Sequence, residues 1–278
     1  MVKKEIKVAI IDLYNNEVNE GIRCLKEIVS ESNRNKNLIP VNYDRFETRY
    51  KDEVPDLGYD IFISSGGPGS PFEGVEQKWE HDYFSLVNKI WNYNQRRPEK
   101  KKYIFFICHS FQMMARYFKF AEVNRRHEKS FGVLPFRRTD AGINDPIMKQ
   151  LLDPFYAADF RQFQVVQKNQ RVLDELGGKI LALELEDKEK KYESAIMAVR
   201  ISNEIVGTQF HPEADPMSML YHLKQDERKN DIIGKSDEGK YLEMLSYLED
   251  PDKLKLTRKT VLPAFLDLAI EELSAKYA

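Results

Sequence analysis

Cysteine is scarce. Cys24 and Cys108 are the only two in 278 residues, which gives no disulfide framework and suits a reducing compartment. Neither sign of charge dominates: 43 Lys and Arg face 45 Asp and Glu for a net charge of -2, so no global basic field draws the chain to nucleic acid or to an anionic membrane. Apolar runs of membrane-spanning length are missing too, and the stretch from Met1 to Ile6 leads straight into a short strand instead of a signal-peptide apolar region. Together these absences predict a cytoplasmic protein whose partner is a small molecule or another protein. The five histidines show no zinc spacing with either cysteine, and we expect neither a metal nor another cofactor. No internal repeat or low-complexity tract breaks the chain.

What is present centres on residues 103–114. Tyr103 to Ile107 (YIFFI) is an apolar run without Gly or Pro, as expected of a parallel strand covered on both faces, and it empties into Cys108-His109-Ser110 before a helix. A cysteine there lies at the carboxyl edge of a sheet, where open α/β sheets bind ligands, and at a helix start whose dipole favours a thiolate. On this stretch alone, a nucleophile and a buried structural thiol both remain open.

The chain around it alternates. Ile6–Leu13 reads as a strand, Val18–Val29 as an amphipathic helix with Cys24 on its apolar side, Leu38–Phe46 as a second strand and Tyr59–Ser65 as a third. The third ends in Ser65-Gly66-Gly67-Pro68-Gly69-Ser70-Pro71, a turn sterically bare and stiff enough to point N–H groups at a ligand. Trp79–Trp91 and Phe111–Phe120 read as helices, and the basic stretch Arg96–Lys102 as solvated surface. Short strands follow at Phe131–Phe136, Gln164–Val166, Lys179–Glu186, Ser194–Arg200 and Ile205–Phe210, the pair 179–200 joined by the charged loop Asp187–Lys191. Helices are expected at Met217–Gln225, Lys240–Leu248 and Arg258–Tyr277.

Three strand ends therefore carry three devices. Cys108 offers a nucleophile, the Gly67 to Gly69 loop offers backbone donors, and His211-Pro212-Glu213 offers a base with a carboxylate to orient it. Acyl chemistry at a carbonyl needs this set, and Pro212 restricts His211 to extended angles that let imidazole and carboxylate lie on one side.

Cys108 with Gln112 four residues on, the glycine loop before it and Gly207-Thr208-Gln209-Phe210-His211-Pro212-Glu213 after it resemble the class I (triad-type) glutamine amidotransferases, in order and rough spacing from about Lys7 to Glu213. The resemblance implies a flavodoxin-like α/β fold: an open, mostly parallel sheet flanked by helices, here with a β-rich flank and a helical C-terminal extension. It implies release of ammonia from the glutamine side chain through a γ-glutamyl thioester, with Cys108, His211 and Glu213 as the triad. Backbone N–H groups of Gly67 and His109 would form the oxyanion hole, and Gly69, Gln112 and Phe163 would bind substrate. The same triad also serves γ-glutamyl hydrolysis or acyl transfer in similar folds, and a non-catalytic regulatory homologue is the alternative from another class.

Two departures stand out. The family's elbow has glycine two residues before and after the cysteine, where this chain has Phe106 and Ser110, so the turn must repack. The Cys108-His109 pair is also similar to the PfpI class of hydrolases, deglycases and chaperones, in which His109 would replace His211 as the partner. Residues 1–213 are expected to form the amidotransferase-like domain, with 214–278 a helical extension packed on it. That extension is too short for a synthetase module, so an acceptor subunit would act in trans, and it would otherwise cap the site, close a homo-oligomer or simply stabilise the fold.

Overall fold

A computed structural model of the chain describes residues 5–33, 39–185, 193–235 and 237–275. The loop expected at 187–191, Leu38 and Glu186 at the ends of two expected strands, and Tyr277 lie outside them.

The first half alternates strand and helix: β1 (Ile6–Asp12), α1 (Gly21–Ser32), β2 (Val41–Glu47), the single turn α2 (Thr48–Lys51), β3 (Ile61–Ser64), α3 (Lys78–Arg96), β4 (Tyr103–Ile107) and α4 (His109–Phe118). The second half is richer in strand: β5 (Glu122–Arg138), α5 (Asp140–Asn144), β6 (Phe155–Val166), α6 (Gln170–Leu176), β7 (Lys179–Glu184), β8 (Ile196–Arg200) and β9 (Ile205–Thr208). Four helices follow, α7 (Pro216–Leu223), α8 (Asp226–Lys235), α9 (Glu238–Ser246) and α10 (Leu254–Ala275).

Among the described residues the strands form one sheet of order β2-β1-β3-β4-β9-β8-β7-β5-β6. The first five run parallel and the remaining neighbours pair antiparallel, which is the flavodoxin-like arrangement with a β-rich flank. Strand alternation divides the core between the two faces. Ile6, Val8 and Ile10 of β1 join Ile61 and Ile63 of β3 and Phe105 of β4 beneath α1 and α10, where Leu262, Phe265, Leu266 and Ile270 are buried. Ala9, Ile11, Phe62 and Phe106 face the other way, against Tyr83 and Ile90 of α3 and Phe111 and Met114 of α4. With both faces covered, these strands carry no polar side: all five residues of β4 are buried.

The flank is larger than the two short strands expected of it. β5 and β6 form one antiparallel ribbon, paired from Glu122 with Val166 to Phe136 with Phe155 and shifted in register between Arg125 and Ser130. Helix α8 is likewise absent from the sequence expectation, because Ile232 is the one buried apolar side chain in a ten-residue run of mostly charged and polar residues. Helices α7 to α9 pack on Val133 and Ala158 of the ribbon through Met219, Leu223, Ile232, Tyr241 and Met244. No helix among the described residues is long and apolar enough to cross a membrane.

Candidate active site

Cys108 links β4 to α4 with φ 50° and ψ -100°, a conformation L-residues rarely adopt and one that projects a side chain from a sharp strand-to-helix turn. Ser110 holds this turn from inside. Its Oγ accepts the Ile107 N–H at 2.8 Å and donates to the Ser64 carbonyl at 2.8 Å, tying the ends of β3 and β4 together. The residue expected to crowd the elbow thus fastens it. Phe106 is accommodated by a glycine on the neighbouring strand, since Gly207 of β9 is its register partner.

His211 leaves β9 and is fixed by its own backbone, whose N–H donates to the Ala158 carbonyl of β6 at 2.9 Å. That bridge folds the last strand of the sheet back over the site. Its Nδ1 lies 2.8 Å from Glu213 Oε1, and both side chains are buried. Burial works against the imidazolium, but the Glu213 carboxylate and the nearby Cys108 sulfur outweigh it and raise the proton affinity of His211 well above the usual histidine range.

His109 is different. Burial first, then Arg49 and Arg116, lower its pKa to about 3, and neither ring nitrogen has a hydrogen-bond partner. It is a neutral buried imidazole, and the carboxylate partner a base requires belongs to His211.

In the glycine loop, a Cβ on Gly67 would come within 2.5 Å of the Leu13 carbonyl oxygen, and Gly69 holds φ 78°. Both positions need glycine for reasons of space or backbone. Arg49 pins the loop: its Nη1 donates to Leu13 O at 3.2 Å and Pro68 O at 2.7 Å, and its guanidinium lies 5.4 Å from the Trp79 ring. Gln112 Nε2 donates to the Phe163 carbonyl at 3.2 Å and to Gln209 Oε1 at 3.1 Å, and the Phe163 ring meets Phe72 at 6.3 Å.

All eight residues picked out from the sequence, Cys108, His211, Glu213, Gly67, His109, Gly69, Gln112 and Phe163, line one cavity of about 370 Å³. Other residues in and around it escaped sequence reasoning. Tyr14, just past the end of β1, has its hydroxyl against Gly21 and Gly66, beside His211. Gln209 donates toward Cys108 Sγ at 3.7 Å and sits inside a motif already quoted, so its place in that motif was the available signal. Cys24 is buried as expected, but it also borders the cavity, its thiol pushed up to about 12 by burial and then by Asp215 and Glu213. Arg49 and the lining residues of α7 and α8 carry no sequence signal for this role. Among the described residues no group of three or more His, Cys, Asp and Glu side chains is placed to hold a metal ion.

The fold and the elbow define an α/β protein with a cysteine at the carboxyl edge of a mostly parallel sheet. The chain belongs to the class-I glutamine amidotransferase family, whose sequence model matches residues 10–227. Solved structures share the fold. A glutamine amidotransferase from Thermotoga maritima aligns with a TM-score of 0.64 at 17% identity, over 96% of this chain and 99% of that one. A putative GMP synthase subunit from Thermoplasma acidophilum aligns at 0.50 with 15% identity, over 76% and 85% of the two chains. The glutaminase domain of the Trypanosoma brucei CTP synthase, solved with bound acivicin, aligns at 0.52 with 13% identity, over 77% and 89%. Comparison with curated proteins finds no match.

Proposed function

We propose that this chain is a cysteine-dependent amidohydrolase that releases ammonia from the side-chain amide of glutamine. The observation that carries the reading is the 2.8 Å contact of His211 Nδ1 with Glu213 Oε1 in the cavity that also holds the Cys108 elbow. The Cys108 thiolate attacks the amide carbon, and the oxyanion forms against the backbone N–H groups of Gly67 and His109. His211, its imidazolium stabilised by Glu213, gives its proton to the departing nitrogen and then takes one from the water that cleaves the γ-glutamyl thioester. Glutamate and the free thiol result. Gly69, Gln112 and the main chain at Phe163 hold the amino-acid end of the substrate. Residues 1–213 form the catalytic domain and 214–278 an extension packed on it.

The ammonia passes to an acceptor site on a separate synthetase chain. The family membership, the likeness to the glutaminase domain of a CTP synthase and the likeness to a putative GMP synthase subunit support such a partner in trans.

The test is ammonia release from glutamine by the wild type and by Cys108→Ser, together with labelling by a glutamine-derived electrophile. Turnover and labelling that both vanish in Cys108→Ser support the reading. Undiminished labelling in His211→Ala would remove His211 as the base, and a wild type inert to glutamine would sink the glutaminase assignment.

A further inference from the structure

The sulfur of Cys108 lies between one acceptor and one donor. The Phe160 carbonyl of β6 accepts from Cys108 Sγ at 3.7 Å, and Gln209 Nε2 donates to the same sulfur at 3.7 Å. These two contacts favour opposite charge states. The carbonyl needs the thiol proton and repels a thiolate, whereas an amide N–H binds a thiolate more strongly than a thiol. Cys108 is only 4% exposed, so neighbouring protein groups weigh heavily in which state it holds.

The direction of the Gln209 amide follows from its neighbours. The Phe163 carbonyl can only accept, so the end of the Gln112 side chain that meets it at 3.2 Å is the nitrogen. That nitrogen also meets Gln209 at 3.1 Å, which calls for the Gln209 oxygen there and turns the Gln209 nitrogen toward the sulfur. The main chain fixes the rest: the Gln209 backbone N–H donates to the Met197 carbonyl of β8 at 2.8 Å, and the residue is fully buried. Gln112 and Gln209 thus form a directed chain of amides from the main chain at Phe163 to the nucleophile.

We infer that Gln209 is a further member of the catalytic machinery, the donor that stabilises and aims the Cys108 thiolate, with Gln112 as the positioning residue that orients it. This rests on the assignment of Cys108 as nucleophile given above. When His211 takes the thiol proton, the contact to the Phe160 carbonyl is lost, and the Gln209 N–H then faces a full negative charge. The sulfur becomes neutral once it bonds to the amide carbon. It regains its charge when water displaces it from the thioester, so the same donor serves the thiolate as attacking group and as leaving group.

Other ionisable groups reach Cys108 from the elements around it: His211 with Glu213 past β9, Arg161 of β6 and Tyr14 past β1. Arg161 is tied to Asp159 at 2.9 Å and to Glu184 at 3.0 Å, and His109 of α4 is neutral. All of them remain when Gln209 is replaced, so a difference between wild type and variant reads Gln209.

The experiment follows alkylation of the full chain by iodoacetamide against pH, read at Cys108 by mass spectrometry. Gln209→Met keeps the reach of the side chain and removes the donor. The expected result is a midpoint about one pH unit higher, which is about tenfold less thiolate at a pH below both midpoints. The limiting rate at high pH should at least match the wild type, whereas a collapsed elbow would depress it. The acid limb of the kcat/KM profile for glutamine should move up with the midpoint. NMR of the wild type needs no change at Gln209: one of its side-chain amide protons should move downfield with the alkylation midpoint, and Cys108→Ser should abolish the movement. An unchanged midpoint in Gln209→Met, or an amide proton indifferent to Cys108, would overturn the assignment. A wild type inert to glutamine that still shows the shift removes the glutaminase reading alone, and a Cys108 that is alkylated at no pH removes both.

Discussion

Gly207 of β9 lies directly across from Phe106 of β4, and a Cβ at Gly207 would stand 3.2 Å from the Phe106 Cβ, 2.7 Å from the Phe111 ring and 2.8 Å from the Met114 sulfur. The missing side chain on one strand makes room for the bulky one on the next. Gly207→Ala is therefore expected to overpack the interior under the elbow and to cost about 1–3 kcal/mol. Chemical denaturation measures this, and an unchanged midpoint would mean that Phe106 does not depend on Gly207.

Ser110 is the second support of the elbow. Ser110→Ala removes the acceptor for the Ile107 N–H and the donor to the Ser64 carbonyl, leaving buried groups unpaired at a cost of about 1–3 kcal/mol. Ser110→Gly, although it restores the family's residue, is expected to lose the same bonds and to slow alkylation of Cys108. An alkylation rate equal to that of the wild type would show the turn to be self-supporting.

Glu213→Gln tests the electrostatics of the pair. Removing the carboxylate removes what overcomes burial at His211, so its titration midpoint, followed by NMR of the ring protons, should move down. The raised folded-state affinity stabilises the native chain below the unfolded value of about 6.5 and fades as pH rises through the folded value. The variant should lose that dependence. A midpoint that stays in place would assign the effect to Cys108 instead.

His109 acts in the opposite direction. Its folded pKa of about 3 lies below the unfolded value of about 6.5, so protonation favours the unfolded chain. Stability from this residue is intact above about pH 6.5 and declines as pH falls toward 3, by on the order of a few kcal/mol. His109→Leu should flatten that decline while leaving the stability at pH 7 within about 1.5 kcal/mol of the wild type. Equal acid sensitivity in both proteins would place the lability elsewhere.

Much of this architecture is legible from residue order, and the reasons are local. β1, β3 and β4 are buried on both faces, so each shows as an apolar run, and the ends of β3, β4 and β9 announce themselves through glycine, cysteine and histidine. The length of the β5–β6 ribbon is hidden because the start of β5, around Arg125 to Lys129, is charged and largely exposed and lacks an apolar stripe. Arg49 reads as one more basic residue, although it holds the loop through two carbonyls that come together only when β1 and β3 pair. Tyr14 is hidden for the same reason, as its place beside His211 depends on strands far apart in the chain. The two departures at the elbow are visible in the sequence, but their compensation is not, since Gly207 and Ser64 reach Phe106 and Ser110 only through strand pairing.

Helix α10 closes the face of the sheet that β1 opens. Leu262, Phe265 and Leu266 cover the layer formed by Val8, Ile63 and Phe105, and Arg258 reaches Glu27 and Glu31 of α1. During synthesis every strand of the sheet therefore leaves the ribosome before α10, while α1 alone covers its share of that face. The part that α10 buries stays open through the whole of β1 to β9, a period in which chaperone binding and aggregation compete for the same surface.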